Sequence, residues 1–71
     1  MKSKTTFTVV IERDEEGYLV ATVPGLRGCH TQAKSLDTLM RRVREVIRLC
    51  LEEGKDHPSP LELVGIQQVS V

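Results

Sequence analysis

Apolar and polar residues alternate along the start of the chain, and the period changes to that of a helix near its middle. Over residues 6–13, TFTVVIER, β-branched side chains dominate, and Phe7, Val9 and Ile11 share one side by the two-residue period of a strand. Asp14, Glu15, Glu16 and Gly17 follow as a polar hairpin connection, and YLVATV at residues 18–23 reads as the return strand. Pairing Arg13 with Tyr18 would set Ile11 opposite Val20 and Val10 opposite Ala21. Phe7, Val9, Ile11 and Val20 then share one face, and Val10, Leu19, Ala21 and Val23 the other. A single helix covers only one of these apolar faces, so the second is expected to meet another protomer or a partner protein.

The next stretch, PGLRGCHTQ at residues 24–32, breaks the strand and restarts it. Pro24 cannot donate to a ladder, and Gly25 and Gly28 allow backbone angles closed to other residues, so the chain is expected to turn here. A short third strand over residues 29–33 places Cys29, Thr31 and Ala33 on one side and His30 and Gln32 on the other. Ser35 is a good N-cap, with Asp37 in the first turn to complement the helix dipole. The helix predicted over residues 36–53 gathers Leu36, Leu39, Met40, Val43, Val46, Ile47, Cys50 and Leu51 into one stripe, and Gly54 closes it. Leu49 lies outside the stripe, either as an ordinary exposed leucine or as part of a contact. After a loop with two prolines, residues 61–71 read as a last strand, with a bulge or break near Gln67 and Gln68, where the alternation slips.

The predicted order is β-β-β-α-β, an α+β single domain over residues 1–71 with an antiparallel sheet and one helix packed on it. A chain this short buries only roughly 60% of its unfolded surface. Phe7 and Tyr18 are its sole aromatics, so a thin aliphatic core is expected to gain from self-association as a homodimer or homotetramer. Val69 and Val71, at a strand edge, are the expected pairing site.

Ten basic and ten acidic residues cancel, so no global positive field draws the chain to a phosphate backbone, and direct nucleic-acid binding is not expected. No stretch has the length and apolarity of a signal core or membrane span, and Cys29 and Cys50 lack a CxxC spacing. Both features point to a cytoplasmic protein with free thiols and no membrane association.

Candidate chemistry is sparse. Cys29 and His30 are adjacent on a strand and point to opposite faces, which separates a would-be nucleophile from its base. Cys29, His30, Cys50 and His57 have no compact metal-ligand spacing. Asp14, Glu15 and Glu16 share a solvated hairpin tip. No catalytic, cofactor or metal residue is therefore assigned, and an enzyme is not expected. Arg41, Arg44 and Arg48 form a basic flank on the helix, open to an acidic partner or to RNA, although the four-residue spacings to Asp37, Glu45 and Glu52 also fit a solvated, ion-paired surface.

The order strand, acidic turn with Gly17 and Tyr18, strand ending in Val23, Pro24, Gly25 and Leu26, then Gly28, Cys29, Thr31, Gln32 and a capped amphipathic helix resembles the HicB-like antitoxin family. The likeness runs from about Phe7 to Glu53. Arg27 stands where that family commonly has proline, Lys34 where it has an acid, and Thr38 where it has glutamate. The resemblance implies a fold described as a degenerate ribonuclease H relative, and a protein that blocks a small HicA-type mRNA-cleaving toxin by occlusion. Many such proteins add a C-terminal DNA-binding module; none follows here before Val71, so operator binding is not expected. The expected contact surface is Pro24, Gly25, Leu26, Arg27, Gly28, His30 and Gln32, with Arg41, Arg44 and Arg48. An RNA-binding module using the arginine flank, or an orphan homo-oligomeric scaffold, is the alternative.

Overall fold

A computed structural model describes residues 6–52 and 61–71. Three strands, β1 (Val10–Arg13), β2 (Leu19–Thr22) and β3 (His30–Ala33), form an antiparallel sheet in the order β1-β2-β3, and α1 (Leu36–Glu52) packs across one face. The domain is α+β, as the residue pattern predicts.

The hairpin between β1 and β2 differs from expectation by one residue. Arg13 pairs with Leu19, not Tyr18, and Ile11 lies opposite Ala21. The cause is a connection of five residues, not four. The Asp14 amide donates to the Tyr18 carbonyl at 2.9 Å, while Asp14 Oδ1 accepts from the amides of Glu16 and Tyr18, each at 2.9 Å. Gly17, at φ 90°, supplies the left-handed residue that closes the loop. A one-residue slip turns every side chain over. Val9, Leu19, Ala21, Val23 and Ala33 consequently collect on the helix side, and the outer face keeps Val10 and Val20 among Glu12, Thr22, His30 and Gln32. The expected surplus of apolar residues on both faces is therefore corrected to one greasy face and one mixed face.

Two clusters make the core. Ala21, Ala33, Leu39 and Val43 fill the middle of the sheet–helix layer, and Val23, Leu26 and Cys29 fill its end with Phe7, Val46 and Cys50 against them. Ser35 caps α1 as predicted: its Oγ accepts from the Thr38 amide at 3.2 Å, and its carbonyl accepts from the Leu39 amide at 2.9 Å. Leu36 and Leu51, at the ends of the stripe, remain exposed, as does Leu49.

Among the described residues, the predicted last strand does not form. Residues 62–71 carry no helix, turn or ladder, and the apolar residues of 61–71 are exposed. Alternation alone cannot make a strand; it needs an edge to pair with, and no described strand pairs with this segment. The expected cap at Gly54 and the proline loop, with His57, lie outside the described residues.

Candidate functional site

The PGLRGC segment is built from two successive turns. The Leu26 amide donates to the Val23 carbonyl at 3.0 Å, closing a turn with Pro24 at its second position, where the fixed φ of proline fits. The Cys29 amide then donates to the Leu26 carbonyl at 3.2 Å, with Gly28 at φ 74° in the third position, as a type II turn requires. The Val23 amide donates to the Cys29 carbonyl at 2.9 Å and ties both ends together. Leu26 and Cys29 point inward and are buried, whereas Arg27 stands in solvent at the tip. The result is a projection held from beneath by its own core residues.

His30 and Gln32 continue from that tip along the outer sheet face, both exposed. Beside them Lys34 Nζ sits 4.6 Å from the centre of the Tyr18 ring, a cation–π contact that covers the end of the same face. Of the residues expected to form a contact surface, Arg27 is exposed on the double turn, and His30 and Gln32 are exposed on the outer sheet face a few residues further on. Leu26 is corrected to a core residue, because a side chain 6% exposed has no surface to offer a partner. Pro24 is half-buried and Gly25 is exposed, with a β-carbon at the latter position meeting Phe7 at 4.0 Å.

The arginine flank belongs elsewhere. α1 covers the opposite face of the sheet, so Arg41, Arg44 and Arg48 do not join His30 and Gln32. Arg41 donates to Thr38 Oγ1 at 3.3 Å and closes no ion pair with Asp37 or Glu45, despite the spacing. Arg44 and Arg48 rim a groove of about 430 Å³ between the start of the chain and α1, whose walls include Phe7, Val9, Met40 and Ile47. Sequence reasoning missed this groove. Its only signal was that Phe7 lies in phase with the core strand residues while Leu51 extends the helix stripe past them.

Cys29 and Cys50, far apart in sequence, meet at the end of the core. Burial, and then the neighbouring Cys50 thiol, push the Cys29 thiol from its ordinary 9.0 up to about 11. At neutral pH it stays protonated and supplies no nucleophile. His30 points to the other face, as strand alternation predicts. Among the described residues no group of three or more His, Cys, Asp or Glu side chains is placed to hold a metal ion, and no helix is long and apolar enough to cross a membrane.

An antiparallel three-stranded meander with one helix across it, a double turn at one end and a mixed outer face defines a small β-β-β-α domain. Residues 6–69 match the family model described as a domain of unknown function, DUF1902, and the chain belongs to that family. It is 57% identical over 65 residues to a UPF0150 protein of Archaeoglobus fulgidus, covering 92% of this chain and 93% of the relative. A UPF0150 protein of Synechocystis is 48% identical over 69 residues, covering 97% and 99% of the two chains. One from Thermoplasma acidophilum is 35% identical over 65 residues, covering 92% and 94%. These names carry no activity and no partner.

Proposed function

We propose that this chain is a protein-binding module of the HicB-like antitoxin kind, which neutralises a small HicA-type mRNA interferase in the cytoplasm by covering the surface through which RNA enters. In this reading it performs no reaction of its own and needs no cofactor. The resemblance of the PGLRGC segment and the capped helix to that family supports it. The observation that carries it is the double turn. Interfaces are anchored by side chains presented on a rigid base, and Arg is among the commonest anchors. Arg27 meets both conditions, with buried Leu26 and Cys29 on either side fixing the turn from which it projects. His30 and Gln32 extend the same surface with groups that both donate and accept hydrogen bonds.

The test is RNA cleavage by a HicA-type toxin encoded in the same genome, titrated with this protein. The reading predicts suppression at a one-to-one ratio. Arg27→Glu or His30→Glu is expected to weaken it by about tenfold, equivalent to ~1.4 kcal/mol. Cleavage that continues under excess protein would overturn the proposal. A gel shift of labelled RNA by the protein alone, abolished by reversing Arg44 and Arg48, would favour the RNA-binding alternative instead.

A further inference from the structure

Residues 61–71, LELVGIQQVSV, hold the largest concentration of exposed apolar surface among the described residues. Val64 is 93% exposed, Ile66 74% and Val69 81%, although each is a residue type that favours strands. A soluble chain rarely leaves so contiguous an apolar stretch in water unless something covers it. The segment has one charged residue, Glu62, so almost nothing in it opposes pairing with another strand.

The body of the domain offers the matching half. Its sheet has two outer edges, β1 and β3. At β3, Arg42 Nη1 donates to the Gln32 carbonyl at 2.8 Å, so a guanidinium from α1 already occupies a backbone acceptor on that strand. At β1 no described side chain does so, and Ile11 is left 41% exposed. Where the chain leads into β1, a groove between residues 6–9 and α1 has Phe7, Val9, Met40 and Ile47 in its walls, where inward side chains of a fourth strand would lie. Arg44 and Arg48 at its rim have the sign to accept Glu62.

The chain's own tail does not use this site. Leu61, Glu62 and Leu63 lie near Thr6, Phe7 and Thr8 around a second cavity of about 330 Å³, yet no residue of 61–71 lines the groove itself. Among the described residues, then, neither residues 62–71 nor the outer edge of β1 has a ladder partner, and an apolar groove lies next to that edge's lead-in. Two copies related by a twofold axis satisfy both at once, because an isologous exchange makes the same contact twice.

We propose that residues 62–71 add as an edge strand to β1 of a second copy of this chain, with their apolar side chains reaching the groove between the lead-in to that β1 and α1, so that two chains exchange tails. This does not rest on the identity of any partner protein, and it holds or fails whether or not a toxin is bound.

The test is the mass of the intact chain by size-exclusion chromatography with light scattering over a dilution series, with far-UV circular dichroism on every variant. The wild type is expected at twice the single-chain mass or an even multiple of it. Ile66→Asp and Val69→Asp, both at exposed sites remote from the core, are expected to shift the dissociation midpoint upward by about tenfold or more with the helical signal retained. Leu49→Asp, on the exposed side of α1, is the control and should leave the mass unchanged. A wild type that stays at single-chain mass throughout would overturn the proposal. So would tail variants that associate like the wild type, or association lost only in Leu49→Asp, which would place the interface on the helix.

Discussion

The body of the domain and its tail use the same vocabulary of valine, leucine and isoleucine, with opposite results. In the body, Val23 is 1% exposed and Leu39 is completely buried; in the tail, Val64 is almost fully exposed. The difference is not in the residues but in what stands opposite them. Leu39 faces Ala21 and Ala33 across a layer closed by Val43, all within one chain. Val64 has an apolar sequence context and no described neighbour that buries it. Apolar alternation therefore specifies a segment's capacity to form a strand, while the presence of a free edge decides whether it does.

The sharpest way to break that comparison is to truncate one residue in each region. Leu39→Ala should destabilise the chain by about 2–5 kcal/mol, a large share of what a domain this small possesses, as read by chemical denaturation. Val64→Ala should change the stability of the dilute single chain by less than about 0.5 kcal/mol while weakening self-association. Equal effects of the two on dilute-chain stability would mean that the tail belongs to the core.

A smaller effect is expected at the double turn that carries Arg27. Gly28 adopts φ 74°, so Gly28→Ala should cost about 1–2 kcal/mol through backbone strain, although no atom lies within 4 Å of the added methyl. Gly25→Ala, at a position without a left-handed angle, should cost less. If the two variants melt together, the strain argument fails and with it the view of the turn as a rigid base.

The smallest effect is a pH dependence confined to the alkaline side. The folded Cys29 thiol titrates near 11, above its ordinary 9.0, so the unfolded chain loses that proton first. The resulting stability is complete below pH 9 and falls as the pH rises from 9 toward 11. Cys29→Ala should flatten that limb of the profile. An unchanged alkaline slope in the variant would remove Cys29 as its cause.

Much of the body was legible in the residues alone. The Ser35 cap, the helical stripe through Leu39 and Val43, and the turn at Pro24 and Gly28 follow from local chemistry, and all are present. Two features were not legible, one because a single side-chain choice in a loop decides it and one because it depends on residues far apart in sequence. The register of the hairpin turned on one loop residue, fixed by Asp14 Oδ1 accepting two amides, and with it went the sorting of Val9 and Ile11 onto the helix side. The meeting of Cys29 and Cys50 depends on how far α1 slides along the sheet, which no local pattern encodes. The tail's apolar residues are legible as strand-forming, but no described strand pairs with them.

The central claim is that this tail forms a strand only on a second copy, and amide hydrogen exchange of residues 62–71 in the intact protein tests it most directly. The account predicts slow exchange at high protein concentration that gives way to fast exchange on dilution, while the amides of α1 remain protected at both. Fast exchange at every concentration would contradict it, and so would protection that persists unchanged in the dilute single chain.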